Sequence, residues 1–233
     1  RNRTQPSHHK RNGSWMSAAM LFLYAACFSF AYVSLDTGTG ALILFGMVQI
    51  TMLAAALLAG KHPKRIEWVG WGLAMLGLVY LLAPGVSAPP LLGATLMAVA
   101  GMAWGVYSLR GRGERDALAG TTFNFVRTIP LVLGLAIIGL AHPSVSAYGA
   151  MLALISGALT SGIGYAVWYS ALPALTTLQA AMVQLAVPII AAAGGVLLLA
   201  EPLSLRLLVA GALVLGGIAL SVIGATRPTG RRA

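Results

Sequence analysis

The most informative property of this 233-residue chain is how little charge it carries. Only 9% of its residues are Asp, Glu, Lys or Arg, whereas 58% are hydrophobic. Residues 128–200 form a stretch of 73 residues without one charged side chain. A soluble domain of this length cannot bury so much apolar surface. The composition therefore excludes a soluble protein and indicates a membrane protein.

Other absences narrow the function. The single cysteine, Cys27, excludes a disulfide within the chain and disfavours a thiol metal site, so we expect it to be a small packing residue. There is no G-x-x-x-x-G-K-[ST] phosphate loop for ATP hydrolysis, and neither G-x-S-x-G nor H-E-x-x-H occurs. We therefore expect no enzyme activity, no metal and no cofactor.

Carboxylates are also scarce. The five acidic residues all fall at the ends of predicted spans or in loops, so none is expected near the bilayer midplane, where proton relays usually place one. This distribution predicts exchange or facilitated movement of a substrate, or a coupling mechanism that avoids a buried carboxylate.

The apolar sequence divides into eight segments at Gly, Pro and charge clusters. A helix needs roughly 20 apolar residues to cross a bilayer core about 30 Å thick. Hydrophobicity is continuous along each segment, whereas a transmembrane barrel alternates. The sequence therefore predicts an all-α polytopic integral membrane protein. The predicted spans are 15–34, 39–59, 67–84, 90–109, 119–141, 147–170, 175–199 and 204–225.

The net charge is +10, and the basic residues responsible for it lie mainly on one side of the predicted membrane. Thirteen of the fifteen Lys and Arg residues fall in the two tails or in loops on that side; Arg127 lies early in a span, and Arg206 falls on the other side. This positive-inside bias predicts that both termini lie in the cytoplasm. It also explains the basic composition without a nucleic-acid partner.

The chain contains an internal duplication. The phrase Met-Val-Gln occurs at 47–49 and again at 182–184, and each copy is followed by a polar break and a Gly-rich apolar segment, beginning at Val69 and at Val209. The copies are five predicted spans apart, an odd number, so corresponding helices would cross the bilayer in opposite directions. Inverted repeats are the usual basis of alternating access in secondary transporters.

The duplication predicts four segments: a polar N-terminal tail at 1–14, a partial first repeat of three helices at 15–85, a second repeat of five helices at 86–226, and a basic cytoplasmic tail at 227–233. The first repeat lacks the counterparts of two helices. We therefore expect a truncated chain.

Several motifs of the second repeat resemble the drug/metabolite transporter superfamily, specifically its EamA-type transporters. They are Arg127 near the start of its span, GYAVWYSAL at 164–172, Pro188, and LAEPLS at 199–204 before a Gly-rich final helix. The resemblance implies two inverted five-helix units, a substrate cavity between them, and export of a small organic metabolite across the bacterial inner membrane. The first repeat departs from the pattern, with Lys61 where the second has Glu201.

Arg127 is the basic residue expected within a span, where a charge costs about 2.5–3.5 kcal/mol on insertion scales. One interpretation is that it snorkels to the membrane surface. The other is that it faces a watery cavity, with Asn124 one turn away, and attracts an anionic substrate group.

Aromatic and amide side chains are the other candidates. Trp104, Tyr107, Tyr165 and Trp168 fit either an interfacial belt or a cavity wall that stacks on substrate. Gln49 and Gln184 either bond across helices or contact substrate. The predicted cavity-lining residues are Gln49, Trp104, Tyr107, Asn124, Arg127, Tyr165, Trp168 and Gln184, with Pro188 as a gating kink.

The sequence thus predicts a secondary transporter, an exporter by analogy, that sits in the lipid bilayer and moves a small-molecule substrate. The alternative is a truncated, non-transporting fragment or one part of a two-chain transporter. A homodimer or a complementing membrane chain is the corresponding partner.

Overall fold

The structure, a computed structural model, describes residues 13–83, 89–112, 114, 116–139, 146–198 and 203–226. Most of the predicted N-terminal tail, the predicted basic tail at 227–233 and the acidic position Glu201 lie outside the described residues. Every regular element within those ranges is helical. The α-helices are α1 (Trp15–Ala31), α2 (Thr37–Leu58), α3 (Arg65–Leu82), α4 (Leu91–Gly111), α5 (Ala117–Gly139), α6 (Ala147–Ile155), α7 (Gly164–Ala171), α8 (Thr177–Val183), α9 (Ala186–Leu198) and α10 (Leu205–Thr226).

These helices confirm the predicted all-α polytopic membrane fold. A π-helix (Ser156–Ile163) joins α6 to α7, and a short 3-10 turn (Leu172–Ala174) follows α7, so this segment forms one span. The α8 and α9 helices together form another. In the described part of the chain, seven helical segments are long and apolar enough to cross a membrane, and α1, with 17 residues, is shorter.

The described residues divide into two compact units. The first contains residues 13–22 and Tyr107–Ala174, and the second contains Leu23–Val106 and residues 175–226. A unit defined by contacts differs from a repeat defined by sequence, so the repeat boundaries at 15–85 and 86–226 stay a prediction.

The first unit is built around the carboxyl-terminal end of α4. The Tyr107 side chain there is fully buried, and its ring packs against that of Tyr169 on α7, with ring centroids 4.9 Å apart. Gly111 allows this approach, because a Cβ at this position would lie 2.7 Å from the Tyr169 ring.

The second unit has two apolar clusters. One joins α3, α8, α9 and α10 through Leu78, Met182 and Val214, all of which are fully buried. The other joins α1, α2 and α4 and contains the buried Cys27 together with Met97.

The closest helix pair in the second unit is α3 with α10. A Cβ on Gly70 would lie 2.5 Å from the Gly217 carbonyl oxygen, and a Cβ on Gly77 would lie 3.0 Å from the Ala210 carbonyl oxygen. The helices are therefore antiparallel and in backbone contact, which only small residues permit. Close backbone contact of this kind replaces the hydrophobic driving force that is absent between helices in lipid.

Candidate functional site

The Arg127 side chain lies in the first unit at the edge of a cavity. The cavity has a volume of about 620 Å³ and is lined by Gly13, Ser14, Trp15, Phe123, Val126 and Arg127. Arg127 is half-buried, and its guanidinium carbon lies 5.8 Å from the centroid of the Phe123 ring. This geometry is a cation–π contact. The wall thus combines one cationic group, two aromatic rings and a serine hydroxyl.

Asn124 lies behind this cavity and holds the start of α1. Its Oδ1 accepts the backbone N–H of Ser14 at 3.0 Å, and its side chain is 1% exposed. Its Nδ2 has no hydrogen-bond partner within the described part of the chain. Gly13 adopts φ +74°, and a Cβ there would lie 2.6 Å from Asn124 Oδ1. The left-handed backbone of Gly13 is therefore what lets the chain approach α5 so closely.

Arg110 at the end of α4 makes a second link to α1. Its Nε donates to Ser17 Oγ at 2.9 Å, and its Nη2 donates to Ser14 Oγ at 3.0 Å. Ser14 Oγ also accepts the Ser17 backbone N–H at 3.1 Å, as an N-cap residue does. One wall of the cavity is therefore fixed to both α4 and α5.

Pro130 sits inside α5, three residues after Arg127. A proline has no backbone N–H, so it cannot donate to the carbonyl of Val126, a residue that lines the cavity. Pro130 and the Ser14–Arg110 link were not among the features predicted from the sequence. A proline inside a predicted span and a serine just before an apolar run were the available signals.

The predicted aromatic residues of the first unit form a packed cluster. The Tyr107 hydroxyl is 3.1 Å from Thr121 Oγ1, and the Tyr165 ring lies edge-on to Phe125 with centroids 5.0 Å apart. Trp168 Nε1 lies 3.4 Å from Ser108 Oγ, the hydroxyl to which it donates. Tyr165 and Trp168 are half-buried, whereas Tyr107 is fully buried.

The remaining candidates lie in the second unit, at the interruption between α8 and α9. The backbone N–H groups of Gln184 and Leu185 both point to the Met182 carbonyl, so the carbonyls of Ala180 and Ala181 lose their usual helical donors. Gln184 Nε2 donates to Ala180 at 2.9 Å, and Gln49 Nε2 donates to Ala181 at 2.7 Å. Both predicted glutamines thus satisfy carbonyls that the break exposes.

Each glutamine oxygen also accepts an indole N–H. Gln49 Oε1 accepts from Trp71 at 3.2 Å, and Gln184 Oε1 accepts from Trp104. The two Met-Val-Gln copies therefore place their amides in equivalent polar surroundings, with an indole at the oxygen and a carbonyl at the nitrogen. Trp71 was not among the predicted residues.

Pro188 lies in the first turn of α9, just after the interruption. Another residue at this position would donate its backbone N–H to the Gln184 carbonyl. Proline has no N–H, and that carbonyl accepts the Val187 N–H at 3.1 Å instead. A proline is well tolerated in the first turn of a helix, so Pro188 fits the start of α9 after the break.

A helical membrane chain with a charged cavity and an interrupted span has the architecture of a membrane transporter. The profile of the EamA-like transporter family matches residues 91–223, more than half of the sequence. The chain belongs to this family, within the drug/metabolite transporter superfamily, and is a transporter rather than an enzyme.

Two relatives and one solved structure extend this finding. The uncharacterized protein PA1977 of Pseudomonas aeruginosa is 53% identical over 218 residues, which cover 94% of this chain and 76% of PA1977. The threonine/homoserine exporter RhtA of Escherichia coli is 32% identical over 171 residues, which cover 70% of this chain and 56% of RhtA. A crystal structure with 21% identity matches the fold with a TM-score of 0.73 and covers 89% of this chain and 76% of that protein.

Proposed function

We propose that this transporter exports a small organic metabolite that carries a carboxylate across the bacterial inner membrane, by alternating access. The observation that carries the proposal is the cavity at Arg127. A half-buried guanidinium within a membrane span is costly unless it faces water or an anion.

The composition of the cavity wall defines the substrate group. Among the described residues that line the cavity, Arg127 is the charged one, and it lies beside the Phe123 ring and the Ser14 hydroxyl. A guanidinium binds a carboxylate through two parallel hydrogen bonds, and an aromatic ring accepts an apolar or cationic part of the same molecule. A small amino acid presents both groups. RhtA is named for the export of two such amino acids, and this supports a zwitterionic amino acid or a close analogue as the substrate class.

The α3–α10 contact supports inverted repeats. The Gly-rich segments that begin at Val69 and Val209 are offset by 140 residues, and this offset relates Gly70 to Ala210 and Gly77 to Gly217. The two contacts at this crossing, Gly70 with Gly217 and Gly77 with Ala210, are therefore equivalent under the repeat. Such an arrangement has local two-fold symmetry, which is expected when two inverted copies of one helix cross.

The placement of the acidic residues supports transport without a buried carboxylate relay. Asp36 is the N-cap of α2, Glu67 lies in the first turn of α3, and Glu114 and Asp116 lie between α4 and α5. We therefore propose exchange or facilitated movement. Transport that collapses when the proton gradient is dissipated, with the membrane potential clamped, would contradict this part of the proposal.

Reconstituted full-length chain in proteoliposomes provides the test. The flux of a panel of radiolabelled amino acids is measured for the wild type, Arg127→Lys, Arg127→Ala and the control Arg206→Ala. Arg206 is a suitable control because it contacts the Tyr80 ring on α3, outside the Arg127 cavity.

We expect Arg127→Ala to raise KM at least tenfold, because it removes a charge-assisted bond, roughly 1.5–3 kcal/mol, to the substrate carboxylate. Arg127→Lys should retain part of the affinity, and Arg206→Ala should leave the kinetics unchanged. Unchanged kinetics in Arg127→Ala at normal expression would reduce Arg127 to a membrane anchor. Absence of flux from the wild-type chain, with a second membrane polypeptide required to restore it, would favour the two-chain alternative.

A further inference from the structure

We propose that residues 59–67, which comprise the loop between α2 and α3 and the first residues of α3, form a binding site for the phosphate group of an anionic membrane phospholipid. This site is separate from the Arg127 cavity and does not depend on the proposed substrate. It rests on the fixed backbone of the loop, its charge, the cavity beside it and its position between two membrane spans.

The backbone of the loop is fixed at both ends. At the end of α2, Gly60 adopts φ +71°, its N–H donates to the Leu57 carbonyl at 2.9 Å, and the Lys61 N–H donates to the Ala56 carbonyl at 3.0 Å. These two bonds form a Schellman motif. At the start of α3, Glu67 Oε2 accepts the Lys64 N–H at 2.6 Å. A loop that is already ordered loses little entropy when it binds a ligand.

The loop is strongly basic. Lys61, His62, Lys64 and Arg65 fall within five residues, and Lys61, His62 and Arg65 are exposed. The nearby Glu67 is only 8% exposed, and its Oε2 already accepts a hydrogen bond from the Lys64 backbone N–H. The exposed side chains of the loop therefore present positive charge.

A cavity of about 140 Å³ opens beside these side chains. Its lining includes Lys61, His62, Pro63 and Glu67 from the loop, and Thr176 and Thr177 from the start of α8. Thr176 Oγ1 accepts the Gln179 N–H at 3.2 Å, which leaves the hydroxyl hydrogen of Thr176 available to donate. A lysine, a histidine and a hydroxyl are suitable donors to phosphate oxygens.

Because the loop joins two membrane spans, we infer that the phosphate group it binds belongs to a lipid. Both α2 and α3 are long and apolar enough to span the membrane, so the loop that joins them lies at the membrane surface, where headgroups are concentrated. Trp68, which is 41% exposed, follows one turn into α3 and is a residue typical of this interface. At the opposite end of α2, the connection at 32–36 has no Lys or Arg and contains Asp36.

Purified full-length protein in neutral detergent can be titrated with phosphatidylglycerol, with phosphatidylcholine and with soluble glycerol phosphate, and binding followed by native mass spectrometry. The variant K61Q/R65Q removes two positive charges from the loop. The matched control R231Q/R232Q removes two positive charges from the carboxyl-terminal tail. The variant K61R/R65K keeps the charge of the loop, and far-UV circular dichroism monitors folding of all variants.

We expect phosphatidylglycerol to bind at least tenfold more tightly than phosphatidylcholine. K61Q/R65Q should lose this preference, whereas K61R/R65K and the tail control should keep it. Equal losses in the loop variant and in the tail control would show a general electrostatic attraction and overturn the proposal. Displacement of the lipid by millimolar glycerol phosphate would also overturn it, in favour of a soluble phosphate ligand.

Discussion

Gln49 Nε2 donates a hydrogen bond of 2.7 Å to the carbonyl of Ala181, 132 residues away in the sequence. This bond joins α2 to the last turn of α8. The Leu185 backbone N–H donates to the Met182 carbonyl, so it does not make the usual helical bond to the Ala181 carbonyl. A carbonyl that loses its helical donor in a membrane cannot turn to water. Gln49 therefore stabilises the interruption of the α8–α9 span.

Gln49→Leu should lower the free energy of unfolding by about 1–3 kcal/mol, the cost of a buried group left without its partner. This exceeds the average of about 0.6 kcal/mol for interhelical bonds in one membrane protein, because the usual helical donor to the Ala181 carbonyl, the Leu185 N–H, donates to Met182 instead. Thermal unfolding in detergent measures the loss. Thr51→Val on the same helix is the control, since Thr51 Oγ1 donates within its own helix, to the Met47 carbonyl at 2.7 Å. Equal effects of the two variants would argue against a special role for Gln49.

Glycine-to-alanine substitutions should distinguish the effect of the close α3–α10 contact on stability from the effect of helix propensity. Gly70→Ala places a Cβ 2.5 Å from the Gly217 carbonyl oxygen, so the helices must move apart, at a cost of about 1–3 kcal/mol. Gly72→Ala and Gly216→Ala are controls on the same two helices, because the added Cβ would lie within 4 Å of no heavy atom in the described part of the chain outside the helix's own backbone. Thermal unfolding should show a loss for Gly70→Ala and none for these controls. A Gly70→Ala protein as stable as Gly72→Ala would mean that the helices are not in backbone contact.

Gly13 should tolerate substitution less well than Gly60, although both have positive φ. Alanine at either position incurs the backbone strain of about 1–3 kcal/mol, but only at Gly13 does the Cβ also meet Asn124 Oδ1, at 2.6 Å. A Cβ on Gly60 would meet no heavy atom of the described residues within 4 Å, apart from its own chain neighbours. The difference in unfolding temperature between Gly13→Ala and Gly60→Ala therefore reports the contact of α1 with α5. The Cβ added at Gly13 would lie 2.8 Å from the Gly120 carbonyl oxygen, which also belongs to α5. Equal unfolding temperatures of Gly13→Ala and Gly60→Ala would show that α5 does not limit the space at Gly13.

Local sequence patterns were sufficient to predict the membrane class, the helical fold and the approximate positions of the seven span-length helices in the described residues. Hydrophobicity is a property of each residue and of its neighbours in the chain, so a charge-free stretch such as 128–200 already requires spanning helices. The sequence also selected Arg127 as the residue to explain, because a charge within a span is costly wherever the helix packs.

The contacts of these side chains could be read from the three-dimensional structure and not from the sequence. The repeated Met-Val-Gln phrases left open whether Gln49 and Gln184 contact substrate or other helices. Their bonds to the Ala181 and Ala180 carbonyls depend on the interruption after α8, which the sequence did not predict. The link from Arg110 to Ser14 spans 96 residues of sequence and has no periodic signal. Hydrogen-bond partners depend on how distant segments meet, and no local pattern in the chain encodes that meeting.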